Sequence, residues 1–105
     1  MITILARFVV PEDRMEQALA DLRQMAAAVE ANEPRALAYV AHRCLSNRNE
    51  LIVFELYENE PAFEAHRRTP HMEELQAALG DIIDSAEFKI ERLERVAGFV
   101  RPTAH

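Results

Sequence analysis

The chain has 105 residues, half of them apolar and 29% charged, with a formal net charge of -6. That length suits one domain with a modest core that needs no staples. The acidic balance gathers no basic stripe beyond Arg67-Arg68, which argues against nucleic acid as a partner. No apolar run approaches the ~20 residues that span a bilayer, which argues against a membrane partner. Cys44, the one cysteine, leaves no internal disulfide and suits a reducing compartment. The N-terminus lacks the charged-then-apolar pattern of a signal peptide, so the cytoplasm is the expected location.

Residues Ile2 to Val10 are dense in β-branched and apolar types and predict a strand, ended by Pro11. Asp13-Arg14-Met15-Glu16 has capping-box spacing with Asp as the cap. Met15, Ala18, Leu19, Leu22, Met25, Ala26 and Val29 then fall on one helical face, predicting an amphipathic helix to about Ala31, stopped before Pro34. A second strand is predicted from Ala36 to Leu45, with Leu37 and Tyr39 on one side and Val40, His42 and Cys44 on the other. The turn formers Ser46-Asn47-Arg48-Asn49 lead into a third strand, Leu51 to Tyr57. This strand alternates Ile52, Phe54 and Leu56 against Leu51, Val53, Glu55 and Tyr57.

Asn59 can cap a short helix through about Arg67, with Pro61 in its first turn. Pro70 cannot continue that helix, but Thr69 can cap a new one. The new helix carries a stripe of Met72, Leu75, Leu79, Ile82 and Ile83, and Gly80 is expected to weaken it without ending it. Glu87 to Val96 predicts the last strand, with about 98–105 as a tail. The order is the α+β, ferredoxin-like split βαβ arrangement: a four-stranded antiparallel sheet with helices on one face, in a single domain over 1–105. Two helices cover one side of a sheet, yet the first three strands are largely apolar on both. A homodimer packing sheet against sheet is therefore expected.

The stretch Ala62 to His71 holds two of the four histidines around the helix break. Five residues apart, His66 and His71 are not the i, i+4 pair that clamps a metal, and no other His/Cys/carboxylate spacing completes a metal set. A helix C-terminus favours the cationic form of His66, and a helix N-terminus favours neutral His71. Such an unlike pair suits acid–base or oxyanion-stabilising work; on pattern alone, capping or surface roles come first. Glu55 is the one acid inside an apolar strand and needs a partner. It could orient a histidine, bind a phenolic hydroxyl or form an ion pair, with Arg7 a candidate. His42 and Cys44 share a strand face without a third orienting group, and Cys44 reads as a small buried hydrophobe.

Taken together, Glu33-Pro34, Leu37, Tyr39, Phe54-Glu55-Leu56-Tyr57, Glu60-Pro61-Ala62-Phe63 and His66-Arg67-Arg68-Thr69-Pro70-His71 resemble the antibiotic biosynthesis monooxygenase family of dimeric α/β-barrel proteins. The sequence departs from the family pattern at Arg35-Ala36 and at Tyr57, where Gly-Cys and Trp are usual. No histidine follows His71 on its helix, so haem degradation is not expected. The resemblance implies a dimer with a pocket between sheet and helices in each subunit. It further implies oxygenation of a small quinol or phenolic substrate by O2 without cofactor or metal. On that reading His71 is the base or acceptor, His66 the stabiliser and Glu55 the orienter; Tyr39, Phe54, Tyr57 and Phe63 are substrate-binding walls. Phe54 and Glu55 differ in strand parity, so one face must be chosen. An isomerase or catabolic enzyme for a small signalling molecule, and a non-catalytic dimeric ligand-binding protein, are alternatives on the same scaffold.

Overall fold

The computed structural model describes residues 1–83 and 88–101. Strand β1 (Ile2–Val9) leads through a 3-10 turn (Glu12–Arg14) into α1 (Met15–Asn32), followed by β2 (Ala36–Arg43) and β3 (Glu50–Tyr57). The helices α2 (Glu60–Arg67) and α3 (Pro70–Gly80) precede β4 (Lys89–Leu93). The strands form one antiparallel sheet in the order β2-β3-β1-β4. This is the expected ferredoxin-like arrangement, with one face of the sheet covered by helices.

The core lies on that face. Met15, Ala18, Leu22, Met25 and Val29 of α1 pack with Ala6, Phe8, Leu51 and Val53 of the sheet, as their helical spacing predicts. Leu75 and Leu79 of α3 complete the layer. A smaller cluster of Ile4, Tyr57 and Ala62 seats α2. Side-chain caps fix the break between α2 and α3. Asn59 accepts from the Ala62 amide at 3.0 Å, and Thr69 accepts from that of Met72 at 3.2 Å. Thr69 also donates to the carbonyl of His66 at 2.9 Å, tying the new cap to the end of the old helix.

Several local expectations are corrected. Asp13 does not cap α1; it sits in the 3-10 turn, and Arg14 occupies the cap position without a side-chain bond. Helix α3 ends at Gly80, and Ile82 enters the core from a turn whose amide bonds back to Leu79. β4 spans Lys89–Leu93, shorter than predicted at both ends, and its forecast start at Glu87 lies outside the described residues. Leu37 and Tyr39 do not share a face. Ala36 pairs with Tyr57 and Ala38 with Leu56, so Leu37 is an extra residue in a bulge and points to solvent at 51% exposure.

Candidate active site

Between the sheet's inner face and the helices lies a cavity of about 490 Å³. Its walls are mostly apolar, from Ile4, Phe8, Val53, Leu75 and Leu79 with Phe88 and Ile90 at the β4 side. Tyr39, Glu55 and His66 also line it and supply titratable groups; Arg67 and Gln76 from the helices are further polar lining. An apolar chamber with a few convergent polar groups is the usual form of a small-molecule site.

Strand pairing chooses between Phe54 and Glu55. Ile4 lies opposite Glu55, and both point inward with Val53, whereas Phe54 pairs with Leu5 and Val40 and faces the other way. Phe54 is therefore not a cavity wall, contrary to expectation. Arg7 is not the partner of Glu55 either: it reaches Glu50 and Glu91 on the outer face. The Tyr57 hydroxyl instead donates to Oε1 of Glu55 at 2.5 Å, and Nε2 of His66 lies 3.7 Å from the same oxygen. Burial pushes the Glu55 carboxyl above the usual carboxylate range. The Tyr57 hydrogen bond and His66 oppose that rise, and the nearby charge of Glu33 adds to it. Tyr57 is fully buried behind Glu55 and is absent from the cavity wall. Burial and then Glu55 push both Tyr39 and Tyr57 up, so both remain phenols that can donate.

His66 is buried in the last turn of α2, with its ring 5.0 Å from that of Tyr57 and 5.9 Å from that of Tyr39. Its Nδ1 lies 3.0 and 3.1 Å from the two carboxylate oxygens of Glu33. A carboxylate only accepts, so Nδ1 carries the proton and Nε2 is left toward Glu55 and the cavity. Glu33 was not singled out as a site residue from the sequence, where it served only in the Glu33-Pro34 pair. Its position carried a signal: Pro34 ends α1, which makes Glu33 the cap residue and points a carboxylate off a helix terminus.

His71 does not reach the cavity. Its Nε2 contacts Oε2 of Glu33 at 2.5 Å, and its ring lines a smaller groove between α1 and α3 with Asp21, Glu74 and Leu75. The two imidazoles are thus joined by one carboxylate, where opposite helix ends alone were expected to distinguish them. Phe63 lines the cavity, packs on Tyr57 at 5.3 Å and lies beneath the guanidinium groups of Arg67 and Arg92. His42 and Cys44 stand apart from all of this. His42 donates to the Ile52 carbonyl, and Cys44 is half-buried beside Ser46, whose hydrogen bond draws the thiol below its ordinary value. Among the described residues no cluster of three or more His, Cys, Asp or Glu side chains is arranged to hold a metal ion. No described helix is long and apolar enough to cross a membrane.

A ferredoxin-like sheet with an apolar chamber and an imidazole–carboxylate set at its wall defines a small-molecule site on an α+β scaffold. The antibiotic biosynthesis monooxygenase family model matches residues 1–78, and the chain belongs to that family. A structure from Caulobacter crescentus, described as a candidate antibiotic biosynthesis monooxygenase, is 28% identical. It superposes with a TM-score of 0.85 over 91% of this chain and 90% of that one. Another so described, from Bacteroides thetaiotaomicron, is 20% identical with a TM-score of 0.87, covering 97% of this chain and 95% of that one. A third, from Deinococcus radiodurans, is 18% identical with a TM-score of 0.84, covering 98% and 100%. These last two share the fold. No curated protein matches the chain.

Proposed function

We propose that this protein is a cofactor-independent monooxygenase acting on a small quinol or phenolic substrate in the 490 Å³ cavity. Family membership supports a monooxygenase-like function. The observation that carries the finer reading is the buried His66–Glu55 pair on the wall of an otherwise apolar chamber. Electrons come from the substrate: Nε2 of His66 takes the phenolic proton, and the electron-rich anion reduces O2. One oxygen atom enters the ring and the other leaves as water with two hydrogens of the substrate, which ends at the quinone level. Apolar walls keep competing water away from the anion, and Tyr39 can donate a hydrogen bond to it. The base is thus His66 rather than His71, because only His66 lines the chamber. Tyr57 holds the pair from behind through its hydrogen bond to Glu55.

The same pair favours a second reading, an isomerase. A carboxyl raised by burial can keep a proton beside an imidazole that accepts one, the arrangement that enolisation needs. Oxygen uptake with a panel of naphthoquinols tests the first reading: uptake above the buffer rate that is lost in His66→Ala is the expected result. No uptake with any quinol overturns it. Solvent deuterium entering an enolisable ligand without oxygen uptake would favour the isomerase. The proposal includes a second copy of the chain packed on the outer face of the sheet, where Val40 and Leu93 are 46% and 43% exposed.

A further inference from the structure

We propose that Glu33 and His71 form a proton outlet that connects the cavity base to the separate groove between α1 and α3. The path rests on the reading of His66 as that base. Three helix ends converge to build it: the C-terminus of α1 brings Glu33, the C-terminus of α2 brings His66 and the N-terminus of α3 brings His71. From the cavity outward the contacts are Glu55 Oε1 to His66 Nε2 at 3.7 Å, His66 Nδ1 to Glu33 Oε1 at 3.0 Å, and Glu33 Oε2 to His71 Nε2 at 2.5 Å. From His66 outward the side-chain exposure rises from 2% through 10% at Glu33 to 14% at His71.

The groove where the line ends is distinct from the cavity and measures about 110 Å³. Two carboxylates, Asp21 and Glu74, line it with His71. Oδ2 of Asp21 is a buried oxygen with no hydrogen-bond partner among the described residues, an acceptor that a proton or a protonated water would satisfy. A purely structural cap for His66 would need Glu33 alone. The second imidazole, at short contact with the same carboxylate and open to a second acidic groove, is what makes a path.

The proton count closes. The path requires one proton on Nδ1 of His66, one between Glu33 and His71, and one on Nδ1 of His71. When Nε2 of His66 takes a proton, an N–H bond forms as the donor's O–H bond breaks, and the Nδ1 proton passes to Oε1 of Glu33. The shared proton goes wholly to His71, whose Nδ1 proton passes to water in the groove. One proton enters and one leaves, with no oxidant or reductant consumed. Run in reverse, the same steps return a proton when a later stage of turnover, such as the release of water, requires one.

The deciding measurement is the exchange of the His66 Nδ1 proton with water, followed by NMR in the intact protein and in His71→Gln. The glutamine amide can still donate to Glu33 but cannot pass a proton on. An outlet predicts exchange slower by about tenfold in the variant. A merely structural role predicts exchange that is unchanged or faster, and either result overturns the proposal. A second arm uses 1,4-naphthoquinol turnover in His71→Ala with added free imidazole. Turnover should fall and then recover with imidazole, while the parent and Glu33→Gln should not respond; a fall without recovery counts against the outlet. If the parent consumes no oxygen, the monooxygenase reading fails, and the exchange rates still decide the path.

Discussion

On its inner face the sheet carries Ile4, Phe8, Val53 and Glu55 beneath the helices, with Leu22, Leu75 and Leu79 packed above or around the cavity. On its outer face it carries Leu5, Val40, Phe54 and Leu93, with the charged side chains of Arg7, Glu50 and Glu91 among them. Both faces are apolar in composition. They differ in what an ionised group meets there. Arg7 stays 40% exposed and pairs at 3.6 to 4.0 Å with carboxylates that water also reaches. Pairs of that kind contribute little, about 0–1 kcal/mol. Glu55 is screened from water and depends on the Tyr57 hydroxyl and the His66 ring, so its proton affinity responds to each neighbour. The proposed chemistry is placed on the covered face for that reason.

The sharpest way to break this contrast is to remove the proposed base. His66→Ala should lower quinol-dependent oxygen uptake by about 10² to 10⁴-fold, the range for losing a general base. The matching outer-face change, Phe54→Ala, should alter uptake far less. Next in size is packing. Ile4 is buried at 2% exposure, and Ile4→Ala should cost about 2–5 kcal/mol in urea unfolding. Val40→Ala on the outer face should stay within about 0.5 kcal/mol in the dissociated chain. A charge at that same place tests the second copy. Sedimentation should give a dimer for the parent and a smaller species for Val40→Asp; a parent monomer at micromolar concentration removes the dimer from the proposal.

The smallest expected effect concerns pH. Because burial raises the Glu55 carboxyl in the folded chain, the folded state holds its proton more tightly than the unfolded state. The stability this provides is present at acid pH. It falls as pH climbs from the ordinary carboxylate value of 4.5 through the raised folded value. Glu55→Gln cannot titrate there, so its melting temperature should gain on the parent as the pH goes from acid to neutral. A constant difference between the two would show that Glu55 is not held above its unfolded value.

Much of the scaffold was legible because local rules agreed with the final packing. The α1 stripe, the Asn59 and Thr69 caps and the alternation of β3 all read correctly, since each depends on spacing within one element. The misreadings came where a neighbour decides. Leu37 was given the face of Tyr39 because a bulge cannot be seen without the partner strand. Phe54 remained a wall candidate because parity separates the two faces of a strand without saying which one the helices cover. Cys44 was expected to be buried, yet it sits half-buried near a turn at the end of β2.

By itself the sequence determined the order of elements, the helix break at Thr69-Pro70 and the presence of two imidazoles beside it. These follow from backbone restrictions and periodicity, which act over a few residues. Only the tertiary structure decided that His66 lines the cavity while His71 faces another groove, and that Glu33 stands between them. Glu33 lies more than thirty positions before His66 along the chain. Its carboxylate becomes the partner of both histidines only when three helix ends meet over the sheet, and the packing of apolar faces, not any local preference, brings those ends together.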